Sequence, residues 1–240
     1  MNRKPFAKPM LFGHRGSVVD HPENTLAGFA ACLKNRIDGI ELDVQRCKTG
    51  ELVVIHDYDL KRVAGNPQKV KDLDYAQLKE FDVGQGQHIP LLEEVFALCK
   101  RDCFYDIELK SEGIQSDGLE QALFQAILKA GLSDRIFVSS FNPVSLLRFR
   151  TISRHSIPTA LIYADEPSLP RILRHGFGRF LAKPDYLKPQ HALAEEALRL
   201  PYQICPWTVD DPMQAKRLLA QGVMGMVSNN PLLLTYLFND

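Results

Sequence analysis

Residues 39–45 read Gly-Ile-Glu-Leu-Asp-Val-Gln, and residues 104–110 read Phe-Tyr-Asp-Ile-Glu-Leu-Lys. Both stretches alternate apolar and charged residues with the two-residue period of a β-strand, whose side chains point to opposite faces in turn. Ile40, Leu42 and Val44 therefore share one face of the first strand, and Ile107 and Leu109 share the matching face of the second. An aliphatic face of this kind suits packing against outer helices. The opposite face, with Glu41, Asp43 and Gln45 on one strand and Asp106, Glu108 and Lys110 on the other, must then point into a barrel or its mouth.

Working outward, strand-like segments recur at Met10–Gly13, Gly39–Gln45, Phe104–Lys110, Ile136–Ser140, Thr159–Tyr163, Phe180–Lys183, Tyr202–Val209 and Met224–Ser228. Helical patterns fill the gaps: Glu23–Arg36, Asp72–Phe81, Leu91–Lys100, Leu119–Ala130, Pro143–Ile152, Leu169–His175, His191–Leu200, Pro212–Ala220 and Pro231–Phe238. Pro143, Pro212 and Pro231 stand where a helix starts, a position whose N–H has no helical partner to lose. Gly131, Gly176 and Gly222 stand where helices stop. Alternating strands and helices of this length predict a parallel sheet. Eight such units in 240 residues match the ~250 residues of a (β/α)₈ TIM barrel, here expected as one domain over residues 1–240. The competing fold is an open doubly wound sheet, but Gly13-His14-Arg15-Gly16 is not the G-x-G-x-x-G fingerprint that fold carries after its first strand.

Leu52–His56 breaks the repeat. It reads as a strand, yet only a few residues separate it from Gln45, and a parallel crossover needs a dozen or more. It is expected to return antiparallel as a β-hairpin arm after strand two, with the turn in 48–51. A turn centred between Thr49 and Gly50 would set His56 opposite Asp43, with Cβ atoms within about 5 Å.

Composition bounds the rest. The 29 basic and 29 acidic residues balance, so nothing in the bulk charge calls for nucleic acid or an anionic surface as partner. The basic start, Met1–Met10, has no apolar stretch behind it and does not read as a secretory signal. Pro231–Phe238 is too short to span a bilayer. Five cysteines, Cys32, Cys47, Cys99, Cys103 and Cys205, form no C-x-x-C pair. They read as free buried thiols in a reducing compartment, which points to the cytoplasm.

Barrels of this kind place their chemistry at the C-terminal ends of the strands, and titratable residues gather at that rim. Strand one ends in His14-Arg15. Two carboxylates about 7 Å apart along one strand, Glu41 and Asp43, need a reason to be buried together, and a divalent cation is the usual one. Glu108 can add a third carboxylate, and Lys110 lies one step nearer the mouth, where a phosphate could sit. Singly, each has a plainer reading: a lone His14 or His56 is more often a hydrogen-bonded structural histidine, and Arg15 could simply pair with a carboxylate. The convergence of two histidines, three carboxylates and two cations on one sector of the rim favours a functional site. Asp106 points inward but deeper, as a partner for a buried cation or an aid to Glu41. Near the first helix, Asn24 or Thr25 reads as an N-cap, with the alternative that Glu23 orients His14 or Arg15 from behind.

Gly-His-Arg-Gly at 13–16, Pro-Glu-Asn-Thr at 22–25, Gly-Ile-Glu-Leu-Asp-Val at 39–44, Val-Val-Ile-His-Asp at 53–57, Ile-Pro-Leu-Leu-Glu-Glu-Val at 89–95, Ile-Glu-Leu-Lys at 107–110 and Pro-Trp-Thr-Val at 206–209 together resemble the glycerophosphodiester phosphodiesterases, in order and spacing, over nearly the whole chain. The resemblance implies a Ca²⁺- or Mg²⁺-dependent barrel that hydrolyses glycerophosphodiesters to glycerol 3-phosphate and an alcohol. It implies Glu41, Asp43 and Glu108 as metal ligands, His14 and His56 as the acid/base pair, Arg15 and Lys110 as phosphate contacts, and Trp207 lining the pocket. Histidine suits both proton transfers because its unperturbed pKa is about 6.5. One departure stands out: where the family commonly has an acidic residue before the last proline motif, this chain reads Val-Ser-Asn-Asn-Pro, with Asn229 at the acidic position. The segment 58–89 is short, as in small bacterial members, and has no room for a large cap. A lysophospholipase D would cleave the same bond in a lipid but needs an apolar channel beside the site, and 58–89 offers few exposed apolar residues for one. A non-catalytic phosphodiester-binding barrel would be expected to lack a histidine or carboxylate, and none is lost here.

Overall fold

The structure is a computed structural model, and it describes Phe6, residues 8–167 and residues 169–238, with Ile172 described by its backbone alone. Part of the basic start, Met1–Pro5 and Ala7, lies outside these residues. The strands are β1 (Met10–Gly13), β2 (Gly39–Arg46), β3 (Leu52–Val54), β4 (Asp59–Leu60), β5 (Asn66–Lys69), β6 (Phe104–Leu109), β7 (Ile136–Ser140), β8 (Thr159–Tyr163), β9 (Tyr186–Pro189), β10 (Gln203–Ile204) and β11 (Gly225–Ser228). The main sheet runs β10-β9-β8-β7-β6-β2-β1-β11, every neighbour parallel, with β3 attached antiparallel to β2 off this path. Met224 N donates to Ile204 O at 2.9 Å and Val227 N to Pro206 O at 3.0 Å, which bridges the last gap and leaves a nearly closed barrel. β4 and β5 form a small separate ribbon beyond the arm.

The expected alternation decides what faces where. Ile40, Leu42, Val44 and Ile107 are fully buried in the layer between barrel and helices, each contributing about 1.5–3 kcal/mol by burial. A second apolar cluster, with Met10, Phe12, Phe137, Tyr186 and Met224, fills the barrel's N-terminal end. Its rings meet edge to face, Phe12 on Phe137 at 5.6 Å and Phe137 on Tyr186 at 5.9 Å. Gly39 opens β2 because a Cβ there would come within 2.4 Å of the Phe12 ring.

Three helices, Leu119–Ala130, Pro143–Ile152 and Pro212–Ala220, have the expected bounds. Asn142 caps the second through Val144 N and Ser145 N, and Asp211 caps the third through Met213 N and Gln214 N, each supplying an acceptor to N–H groups that the helix leaves open. Among the described residues no helix is long and apolar enough to cross a membrane. All five cysteines are free and buried.

Several expectations are corrected. The sixth strand is not Phe180–Lys183: Arg179–Ala182 forms one helical turn with Phe180 and Leu181 exposed, and the strand is Tyr186–Pro189. The true strand carries a lysine that becomes buried only because a carboxylate on another strand meets it, so its own pattern does not read as core. The segment expected as a helix over Leu169–His175 is a 3₁₀ stretch, Arg171–Gly176, broken by non-helical backbone at Arg174 and His175. The expected helix over Asp72–Phe81 shrinks to a 3₁₀ turn at Val70–Asp72 and a helical turn at Tyr75–Leu78. The arm's register is shifted by one: Val44 faces Val54, and Ile55 N donates to Asp43 O at 3.0 Å, so Asp43 lies opposite Ile55 and not His56. Past Val54 the chain leaves the strand, and Gln45 Nε2 donates to the carbonyls of Ile55, His56 and Asp57 at 3.0, 3.2 and 2.7 Å. That bend turns His56 into the barrel mouth by a route that strand pairing alone does not anticipate.

Candidate active site

Above the apolar floor the barrel interior becomes polar in two levels, set by the register of β2 against β6: Glu41 pairs with Asp106, and Asp43 with Glu108. At the lower level Lys188 of β9 is 1% exposed. Its Nζ lies 2.5 Å from Asp106 Oδ2 and 3.9 Å from Glu41 Oε1, and Ser139 Oγ donates to Asp106 Oδ1 at 2.6 Å. Burial alone would lower Lys188, but Asp106 and Glu41 outweigh it and hold the ammonium above the ordinary lysine range.

Glu41 of the lower pair joins Asp43 and Glu108 of the upper pair: all three are buried and offer oxygens within 4.8 Å of one another. Burial, then the charge of Asp43, pushes Glu41 above the usual carboxylate range against the pull of His14 and Lys188. Burial would raise Asp43 as well, but Lys110, His56, Arg15 and the Asn24 hydrogen bond together bring it down to about 2. Asp43 Oδ1 is buried and makes no hydrogen bond; Lys110 Nζ stands 3.8 Å away. Three oxygen donors that repel one another, one of them unsatisfied, fit a hard divalent cation, which takes carboxylate ligands and offsets their mutual repulsion.

The cations and histidines gather around this trio. Lys110 Nζ donates to Glu108 Oε1 at 2.9 Å. Arg15 donates its backbone N–H to Glu41 Oε2 at 3.0 Å, sets Nε 3.5 Å from Asp43 Oδ2, and donates Nη1 to Glu23 Oε1 at 3.1 Å. His14 Nε2 is 4.0 Å from Glu41 Oε2, and its Nδ1 is 2.6 Å from Asn229 Oδ1. Asn229 is itself oriented: its Nδ2 donates to Asp210 Oδ2 at 2.8 Å, and its backbone N–H donates to Asp210 Oδ1 at 2.8 Å. The amide oxygen therefore faces His14 and accepts from its Nδ1–H, which turns Nε2 to the site. On the other flank His56 Nδ1 donates to Asp57 Oδ1 at 2.6 Å. Trp207 donates Nε1 to Lys188 O at 3.0 Å and meets Phe141 edge to face at 5.5 Å.

His14, Arg15, Glu41, His56, Glu108, Lys110 and Trp207 line one cavity of about 410 Å³ at the C-terminal mouth, within the range of small-molecule sites. Glu23 and Asn24 stand behind it. Asn24 Nδ2 donates to Asp43 Oδ2 at 2.8 Å, while Thr25 caps the helix Leu26–Lys34 through Gly28 N. Sequence reasoning missed Lys188, because the sixth strand was misplaced, and the role of Asp210. It also missed a clamp in which Arg62 donates Nε to Asp57 Oδ2 at 2.6 Å and both terminal nitrogens to Glu23 at 2.8 and 2.6 Å. Asp57 next to His56 was a visible signal; the distant Glu23–Arg62 pairing was not.

The pattern of the Glycerophosphoryl diester phosphodiesterase family matches residues 14–233. This chain belongs to that family. It is 33% identical over 232 residues to the glycerophosphodiester phosphodiesterase of Caldanaerobacter subterraneus subsp. tengcongensis, covering 93% of this chain and 95% of that one. The crystal structure of the glycerophosphodiester phosphodiesterase of Thermotoga maritima superposes with a TM-score of 0.76 at 25% identity, covering 97% of this chain and 99% of that one. An Oleispira antarctica phosphodiesterase, solved in complex with the product sn-glycerol-3-phosphate, shares the fold with a TM-score of 0.79 at 23% identity, covering 97% and 98%. Members of the family hydrolyse phosphoric diesters, and this chain is such a hydrolase.

Proposed function

We propose that this chain hydrolyses glycerophosphodiesters to glycerol 3-phosphate and an alcohol, with Glu41, Asp43 and Glu108 holding Ca²⁺ or Mg²⁺ and with His14 and His56 as the acid/base pair. The observation that carries the reading is the convergence of three buried carboxylates within 4.8 Å of one another, with both histidines lining the same cavity. The sn-glycerol-3-phosphate bound by the Oleispira protein supports the product named here.

Held by Glu41, Asp43 and Glu108, a divalent cation would offset charge on the phosphate and make a nucleophilic hydroxyl or water easier to deprotonate. The chain's own residues do the rest. Arg15 and Lys110 reach the cavity and bind phosphate oxygens, the guanidinium bidentately. Asn229 keeps the proton on His14 Nδ1, and Asp57 keeps it on His56 Nδ1, so both rings offer Nε2 to the substrate. One takes the nucleophile's proton and the other returns a proton to the leaving alkoxide. Trp207 and Phe141 line the same cavity.

The deciding measurement is release of glycerol 3-phosphate from glycerophosphocholine. It is expected to stop on addition of a chelator and to return with Ca²⁺ or Mg²⁺; absence of product with either metal sinks the reading. A further expectation concerns the clamp. Arg62 ties Asp57, which orients His56, to Glu23, which holds Arg15. Arg62→Ala should lower kcat about tenfold to a hundredfold with little change in KM, since small misplacements of reacting groups cost this much. Arg62→Lys should recover part of it. An unchanged kcat for Arg62→Ala would show that His56 needs no such support.

A further inference from the structure

The cavity's two sides differ in charge. On the β2–β6 side the acidic groups have cationic partners: Glu41 has Lys188, Asp43 has Arg15, and Glu108 has Lys110. On the opposite side, after β8, Glu166 lines the same cavity. Its Oε1 accepts only from the neutral Gln190 Nε2, at 3.3 Å, and no cation among the described residues pairs with it. Its neighbour Asp165 behaves differently, lying 3.5 Å from His175 Nε2 and 4.0 Å from Arg174 Nη1 outside the cavity. Phe141, Ile162, Leu169 and Trp207 line the cavity as well, with the Phe141 and Trp207 rings in edge-to-face contact.

A carboxylate without a cation that shares a cavity with aromatic rings is an environment that a ligand's positive charge completes. The carboxylate supplies the countercharge, and the ring faces attract ammonium or quaternary ammonium groups. The same carboxylate disfavours an anionic alcohol, since like charges brought together without water cost affinity. The opposite wall of the cavity, with Arg15, Lys110 and the carboxylate trio, has the chemistry for the phosphate. A diester spanning the cavity from that side brings one of its ends to Glu166.

We propose that Glu166, backed by Phe141 and Trp207, is a specificity-determining residue that favours diesters whose alcohol carries a positive charge over those with a neutral polyol. The proposal rests on the phosphodiesterase reading above and adds the substrate class. The test is the ratio of kcat/KM for glycerophosphocholine and glycerophosphoethanolamine to that for glycerophosphoglycerol, read as glycerol 3-phosphate released by the metal-loaded enzyme. In Glu166→Gln, which keeps size and the contact with Gln190, this ratio should fall about tenfold, mainly through KM, and in Glu166→Lys it should fall further. An unchanged ratio in both variants overturns the proposal. In particular, an equal loss on all three substrates assigns Glu166 to the glycerophosphate part that they share. If the unaltered enzyme releases glycerol 3-phosphate from none of the three, the phosphodiesterase reading has failed, and this result is distinct because it precedes any variant.

Discussion

Replacing either His14 or His56 with alanine is expected to cut turnover at least about a hundredfold, because a positioned acid or base is worth about 10²- to 10⁴-fold. The fold should survive both changes. His14 and His56 sit at the barrel mouth, partly exposed, with one ring nitrogen of each held by a neighbouring side chain and the other turned to the cavity. Neither belongs to the apolar clusters that hold the barrel together. Steady-state rates with glycerophosphocholine, alongside melting temperatures within a few degrees of the unaltered protein, would separate chemistry from folding. Near-full activity in one variant would remove that histidine from the mechanism. The same experiment on Asn229 carries further information. Asn229→Ala frees the His14 ring without deleting it and should give a smaller loss than His14→Ala.

The largest stability effect is expected one level deeper. Lys188→Met leaves Asp106 buried beside Glu41 without the ammonium that now lies 2.5 Å from its Oδ2. Removing one partner of a buried ion pair costs about 3–5 kcal/mol, a large share of the ~5–15 kcal/mol that holds an ordinary domain together. In a chain of this length each kcal/mol shifts the melting temperature by about 2–4 °C, so a fall of roughly 6–20 °C is expected by calorimetry. The sign of its pH dependence follows from the direction of the shift. Asp106 and Glu41 hold Lys188 above its ordinary value. Its contribution is thus complete below the unfolded lysine pKa of about 10.4 and is lost only as pH climbs through the raised folded value. Burial holds Asp106 above the usual carboxylate range, so the deficit of Lys188→Met should hold up to pH 9 and shrink toward acid, where protonation of Asp106 removes the stranded charge. Adding Asp106→Asn removes the stranded charge and should restore part of the loss. A melting temperature unchanged by Lys188→Met alone would show that Asp106 is not charged in the folded protein.

How legible this molecule was depends on whether the information was local. The alternation in 39–45 and 104–110 fixes which side chains enter the barrel without any knowledge of neighbours, and the register of Asp43 beside Glu108 then brings the carboxylates together. Pro143 and Pro212 mark helix starts, and Gly131 marks a helix end at a φ of +66°, a conformation glycine adopts without strain. Lys188 was not legible in this way. A lysine reads as surface unless its countercharge is known, and Asp106 lies 82 positions earlier on a different strand. The exposed pair Phe180 and Leu181 drew the strand assignment instead, although they belong to a helical turn. The arm was legible as antiparallel, but its register was set by the turn. The placement of His56 depends on one glutamine, Gln45, gathering three successive carbonyls. The Glu23–Arg62–Asp57 clamp likewise joins segments 39 positions apart.

The aromatic floor of the barrel has a consequence for traffic. Phe12, Phe137 and Tyr186 close the N-terminal end with side chains that are at most 2% exposed, so the chamber above them is blind-ended. Whatever comes in through the rim must go out by the same doorway, and two fragments made from one guest have to queue for it.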